Sequence, residues 1–168
     1  MPEEYEGPEG PDNLNEPPPF FPYDGTGGEV EAAGSNELIE VQVEGVFQAE
    51  SGGSISRFVL VSDGGRKLPI QIGPFEAQAI LHVIDNDRPD RPMTHDLMRN
   101  ILDRLGASLV RVIIDDVWNT IYYAKLYVKK GSEEIEIDGR PSDAIALALR
   151  FDAPIFVTEA ILAAAMED

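Results

Sequence analysis

Apolar and polar side chains alternate strictly from Leu38 onward, and this alternation predicts a half-buried β-strand. Ile39, Val41 and Val43 would share the buried face, while the acidic and amide side chains between them would face water. Further apolar runs bounded by Gly, Pro, Asn or Asp predict six more strands. These strands are expected at residues 57–62, 67–72, 109–115, 120–129, 134–137 and 154–157.

Helices are expected where start and stop residues bound the remaining segments. Pro74 and Pro141 would each occupy a first helical position, where the missing N–H is not needed. Thr94 is expected to cap the second helix and Thr158 the last, and Gly106 to end the second. The four predicted helices span residues 74–84, 95–105, 141–150 and 159–166.

The two halves of this pattern have the same order, with three strands followed by a helix that a proline opens. PFEAQA at residues 74–79 aligns with PSDAIA at residues 141–146, so a proline, an acid and two alanines recur. Small side chains let a helix lie close to a sheet. We therefore predict an α+β fold with duplicated βββα units, in which helices pack against a mixed, largely antiparallel sheet.

The first 36 residues differ from the rest of the chain. They hold nine acids, no base and seven of the 13 prolines, without apolar periodicity. Such a segment cannot bury enough surface to offset its ordering entropy. We predict a disordered acidic tail at residues 1–36 and a folded domain at 37–168. PFFPY at residues 19–23 is either a solvated part of this tail or a segment that docks on the domain itself or on an unidentified protein.

Charge and composition narrow the functional classes. The formal net charge is −18, which opposes the phosphate contacts on which nucleic-acid binding depends. No cysteine is present, which excludes disulfides and thiolate metal sites. The sequence shows neither a signal peptide nor an apolar stretch long enough for a bilayer, so a cytoplasmic protein without a membrane partner is expected. Walker, dinucleotide and Ser-His-Asp signatures are also missing, and no organic cofactor is expected.

Three predicted helix starts carry most of the candidate chemistry. Acids in a first helical turn stabilise the helix, which is a sufficient structural explanation for each one alone. If the three starts lie together, their carboxylates are oxygen ligands of the kind that Mg²⁺ or Mn²⁺ takes. That candidate metal site consists of Glu76, Asp96 and Asp143.

The same three starts suggest roles in phosphodiester chemistry. His95 is a candidate general base because imidazole titrates near neutrality, and Asp96 and Glu76 are the other candidate catalytic residues. Arg140, Ser142 and Thr94 are candidate substrate-binding residues at helix N-termini, which favour anions. His82 lies inside a helix, where a structural role is expected.

Three blocks of the chain resemble the bifunctional nuclease domain family. They are LPIQIGPFEAQAI at residues 68–80, RPMTHDLMRNIL at 91–102 and DGRPSDAIALALRFDAPIFV at 138–157, and the resemblance covers roughly residues 37–165. It implies an α+β fold with a duplicated motif, a homodimer, and a nuclease that acts on DNA and RNA. The family's motif residues carry over as Gly73, Glu76, Thr94, His95, Asp96, Arg140, Ser142 and Asp143.

Two functions follow from the sequence. The first is a metal-assisted nuclease that cleaves phosphodiesters of DNA or RNA. The second is a non-catalytic, dimeric binding or regulatory domain with an anion or small-ligand pocket at its helix N-termini. The resemblance favours the first and the net charge favours the second.

Overall fold

The computed structural model describes residues 37–166, and the predicted tail at residues 1–36 lies outside them. The described residues form seven strands and four helices. The strands are β1 Leu38–Ser51, β2 Ser54–Ser62, β3 Lys67–Ile72, β4 Ala107–Trp118, β5 Ile121–Lys130, β6 Glu133–Gly139 and β7 Ile155–Thr158. The helices are α1 Pro74–Ile84, α2 Thr94–Arg104, α3 Pro141–Phe151 and α4 Glu159–Ala164.

All described strands join one sheet in the order β3-β2-β1-β7-β4-β5-β6. Antiparallel meanders form its two sides, and β7 lies between them, antiparallel to β1 and parallel to β4. Ile155 of β7 lies opposite Val41 of β1 and Val112 of β4. The predicted α+β fold with a mixed, largely antiparallel sheet is confirmed. The symmetric strand order is compatible with two βββα units, and their duplication stays a prediction.

The core lies between one face of the sheet and the helices. Strand β3 shows the alternation directly, because Leu68, Ile70 and Ile72 are buried while the residues between them are exposed. Helix α3 is buried along most of its length and packs against α1, α2, β4 and β5. Its alanines allow this close packing on several sides, so α3 is the element against which α1 and α2 are held.

Several boundaries differ from the sequence-based expectation, and two of these differences involve candidate residues or turns. Strand β4 continues past Asp115 to Trp118. Its pairing with β5 shifts register between Ile114 and Asp116, so Asp115 and Asp116 both lie within the strand. Lys125 on β5 pairs with Asp115 at 2.9 Å. The predicted cap Thr94 is instead the first residue of α2, and Met93 is the N-cap residue. Within residues 37–166, no helix combines the length and apolarity needed to cross a membrane.

Candidate functional site

Helices α1, α2 and α3 begin with the same arrangement of an acid in the first turn. Glu76, Asp96 and Asp143 are each the third residue of their helix. At this position the carboxylate lies near unpaired backbone N–H groups and the positive end of the helix dipole. The three carboxylates nevertheless have different partners, and these partners define the site.

His95 and Asp143 connect the starts of α2 and α3. His95 Nε2 lies 2.9 Å from Asp143 Oδ1. The other oxygen of the same carboxylate, Oδ2, accepts a hydrogen bond from Arg140 Nε at 2.7 Å. Arg140 Nη2 then lies 2.9 Å from Glu76 Oε1 at the start of α1. A continuous chain of charged groups therefore joins the three helices.

Asp96 belongs to a different ion pair, although it is the neighbour of His95. Its Oδ2 accepts a hydrogen bond from the backbone N–H of Met93 at 2.9 Å, and its Oδ1 lies 2.6 Å from Arg150 Nε. Arg150 is buried and also donates to the carbonyl oxygens of Ala79 at 3.0 Å and Ala146 at 2.9 Å. This single guanidinium therefore ties α1, α2 and α3 together behind the site.

The partners keep both aspartates ionised. The hydrogen bond from His95 lowers the pKa of Asp143 most, burial opposes it, and Arg140 lowers the pKa further. Burial alone would raise the pKa of Asp96, but hydrogen bonds from Arg150 and Met93 together outweigh it, so the pKa lies below the ordinary value. Asp143 also raises the pKa of the Arg140 guanidinium, with a smaller contribution from Glu76. The site is thus a network of compensated charges.

His95 is buried but retains one available ring nitrogen. If Nε2 carries the proton donated to Asp143, Nδ1 is an acceptor. Among the described residues, His95 Nδ1 has no hydrogen-bond partner, and every fully buried side-chain nitrogen or oxygen has one. His95 also lines the cleft, where Nδ1 is the ring nitrogen left for a further contact. This geometry suits an imidazole that accepts a proton from a molecule in the adjoining cleft.

The cleft has a volume of about 270 Å³ and lies over the three helix starts. Ser142 is buried and lies outside its lining, whereas the other candidate substrate-binding residues line it. Asp96 also lies outside this lining. The cleft residues relevant to its chemistry are Phe75, Glu76, Thr94, His95, Arg140 and Asp143.

The carboxylates as arranged do not fit the predicted metal site. Asp143 and Glu76 are paired with Arg140, and Asp96 is paired with Arg150. A divalent ion would have to displace these guanidinium groups before it could take the oxygens as ligands. Among residues 37–166, no group of three or more His, Cys, Asp or Glu side chains is placed to hold a metal ion. Ligation of Mg²⁺ or Mn²⁺ stays a prediction that this arrangement does not support.

Gly73 has a packing role at the start of α1. Its φ of −77° is ordinary for any residue, so backbone freedom does not explain the glycine. A Cβ atom at this position would instead overlap Glu76 Oε2, because the Glu76 side chain folds back over its own helix start. The glycine therefore permits the Glu76 conformation that reaches Arg140.

Sequence reasoning overlooked Arg150 and Phe75. Arg150 stands at the end of an otherwise apolar helix face, and a charged residue in such a buried pattern is a signal for an internal partner. Phe75 lines the cleft with its side chain largely in solvent. His82, expected to be structural, bonds Asp87 at 2.9 Å near the opposite end of α1, where it also borders the cleft.

Comparisons with known proteins identify the family of the chain. The sequence model of the bifunctional nuclease domain matches residues 58–168, and the chain belongs to this family. The match begins within β2, so β1 lies outside it. An uncharacterised protein of Mycobacterium tuberculosis is 40% identical over 126 residues, which cover 75% of each chain.

Plant relatives carry the name of a nuclease. Bifunctional nuclease 1 of Oryza sativa subsp. indica is 34% identical over 97 residues, which are 56% of this chain and 29% of the plant protein. Bifunctional nuclease 2 of Arabidopsis thaliana is 28% identical over 103 residues, which are 59% of this chain and 31% of the relative. Each similarity covers less than a third of the plant protein, so it concerns the shared domain alone.

Proposed function

We propose that this protein is a nuclease that cleaves phosphodiester bonds of RNA or DNA, with His95 as the proton acceptor. The observation that carries the proposal is the 2.9 Å contact between His95 Nε2 and Asp143 Oδ1 beside an open cleft. A carboxylate in this position fixes the ring orientation and the tautomer, and stabilises the imidazolium that forms on proton transfer. The family and the names of its plant members support the same class of reaction.

In the proposed reaction, His95 Nδ1 takes the proton of the attacking hydroxyl. That hydroxyl belongs to water for a DNA or RNA substrate, or to the ribose 2′ position in RNA. The oxygen then attacks phosphorus as the bond to the leaving oxygen breaks. The leaving oxygen takes a proton from water, and His95 returns its proton to solvent. Asp143 holds the ring, and its negative charge offsets the positive charge that develops on His95.

Arg140 is the proposed phosphate contact. Its Nε and Nη2 atoms bind Asp143 and Glu76, which leaves Nη1 for a substrate oxygen. The side chain is 66% exposed at the cleft, so a phosphate can approach it. Guanidinium donors suit phosphate oxygens because their planar geometry matches the anion. Thr94, exposed at the first turn of α2, lines the same cleft and is the candidate for a further hydrogen bond.

The test is cleavage of labelled single-stranded RNA and DNA by purified protein. Removal of a general base slows a reaction by about 10²- to 10⁴-fold, so His95→Gln and Asp143→Asn should each abolish most of the activity. Asp103→Asn is the matched control for Asp143→Asn, since this exposed aspartate near the end of α2 lies outside the lining of the cleft. Cleavage that survives His95→Gln would show that another site, or a contaminant, performs it.

A metal series belongs to the same experiment. Because ligation would require Glu76 and Asp143 to leave Arg140, we expect comparable cleavage with EDTA, Mg²⁺ and Mn²⁺. Strict dependence on an added ion would mean that the ion pairs open when the metal binds. That result would restore the metal role predicted from the sequence for Glu76, Asp96 and Asp143.

A non-catalytic, dimeric binding or regulatory domain is the second candidate. The observation that favours it is charge compensation, because every carboxylate of the three helix starts is already paired with a cationic side chain or a histidine. Ion-pair networks of this kind also occur as purely structural features. The second candidate predicts a homodimer by light scattering and no cleavage by any freshly purified preparation. Cleavage that His95→Gln abolishes would refute it.

A further inference from the structure

We propose that Phe75 is a stacking platform for an unpaired base of a single-stranded nucleic acid in the cleft. This inference rests on the proposed nuclease function and names its substrate class. Phe75 is 80% exposed, the highest value among the large hydrophobic side chains of residues 37–166. It lines the cleft together with His95 and Arg140.

An exposed aromatic ring at this position has no packing explanation within the described domain. Phe75 is the second residue of α1, and the residue at the same position of α3, Ser142, is small and buried. The buried residues of α1 are Ala77, Ala79 and Ile80, so the helix is anchored without Phe75. A ring left in water at the mouth of a cleft is a binding feature rather than a core residue.

The neighbours of Phe75 match the two parts of a nucleotide. Arg140 offers a guanidinium for the phosphate, and the face of Phe75 offers an apolar plane for the base. Met93, also exposed, borders the same cleft and adds an apolar contact. Proteins that bind single strands combine cationic and aromatic side chains in this way, since every base has a face that can stack.

The overall charge opposes binding through phosphates alone, so stacking would have to supply most of the binding free energy. Residues 37–168 carry 22 acids and 13 bases, so long-range attraction of phosphates contributes little. In a duplex the base faces are already covered by neighbouring base pairs, and Phe75 could not reach them. With Arg140 as the one phosphate contact, log K should fall with log salt with a slope of about −0.7.

The probe is an 8-nucleotide 2′-O-methyl RNA with a fluorescent label, and the readout is anisotropy with the full-length protein. Loss of one stacked base costs about 1–3 kcal/mol, so Phe75→Ala should weaken binding about 5- to 150-fold. Phe75→Trp should restore it. Phe47→Ala is the matched control, because this phenylalanine is 52% exposed on β1 and should leave binding unchanged. The complementary duplex should bind no more tightly to wild type than to Phe75→Ala.

The outcomes separate this inference from the proposed function. Equal binding by wild type and Phe75→Ala would overturn stacking, while cleavage of unmodified RNA would still support the nuclease. Conversely, Phe75-dependent binding without any cleavage would support stacking and refute the nuclease. Light scattering gives one more check. If Phe75→Ala changes the oligomeric state and leaves nucleic-acid binding unchanged, Phe75 is a contact between subunits and the inference is wrong.

Discussion

Arg150 should contribute more to stability than any surface cation, because its guanidinium joins three helices inside the domain. Its side chain is only 4% exposed, and it binds Asp96 and two backbone carbonyl oxygens. The substitution Arg150→Met keeps an unbranched, apolar side chain of similar length and removes all three bonds. The two carbonyl oxygens also accept hydrogen bonds within their own helices, so the removal of the Arg150 donor costs little at these atoms.

The magnitude follows from the Asp96 contact. A hydrogen bond to a charged group contributes about 1.5–3 kcal/mol, and each carbonyl bond adds up to about 1 kcal/mol. Asp96 is 32% exposed and retains the Met93 N–H, so water compensates part of the loss. Burial of the Met side chain offsets another part. We therefore expect Arg150→Met to lower the free energy of unfolding by about 2–4 kcal/mol.

Urea unfolding at pH 7, followed by circular dichroism, measures this difference. Arg104→Met is the control, since this exposed arginine at the end of α2 should change stability by no more than about 0.5 kcal/mol. An Arg150→Met protein with the same unfolding midpoint as wild type would refute the bridging role. The same substitution should also slow cleavage, because α2 positions His95 and loses one of its two polar ties to α3.

Two further predictions concern the site itself. Gly73→Ala should lower the cleavage rate about 10- to 100-fold, because the new Cβ displaces Glu76 from Arg140. Gly65→Ala should leave the rate unchanged, since its Cβ would make only an ordinary contact. Cleavage rates of the two variants and wild type on one RNA substrate measure both effects. The pKa of Asp143 is lower in the folded protein than in the unfolded chain. The ionised carboxylate therefore stabilises the fold above the ordinary aspartate pKa, and this stabilisation is lost as the pH falls through the lowered pKa of the folded state. The difference in unfolding free energy between wild type and Asp143→Asn should therefore shrink between pH 7 and pH 3, and a constant difference would contradict this origin of the pKa shift.

The sequence was sufficient for the elements and their class because local signals agree with the tertiary structure. Alternation in β3 and prolines at the starts of α1 and α3 appear in the structure as predicted. The errors fall where tertiary contacts decide the outcome. Asp115 and Asp116 suggested a turn, but Lys125 on the neighbouring strand stabilises Asp115 within β4. Local composition contains no information about that neighbour.

At the candidate site, too, the local sequence predicted some features and tertiary contacts decided the others. The sequence identified the three helix starts, and in the structure His95, Asp143, Arg140 and Glu76 lie in contact. It could not separate Asp96 from this group, because adjacent residues of a helix point about 100° apart. Only the packing of α2 against α3 determines that His95 meets Asp143 while Asp96 meets Arg150.

The three first-turn acids therefore illustrate how one local motif acquires different roles. Glu76, Asp96 and Asp143 occupy equivalent helix positions, and helix stabilisation explains each of them equally well. The cation that reaches each carboxylate makes the difference. Arg150 is buried and holds Asp96 in a structural role, whereas Arg140 is exposed at the cleft and His95 lines it. Chemistry at this site is thus expected where the partner of the acid, rather than the acid itself, can contact a substrate.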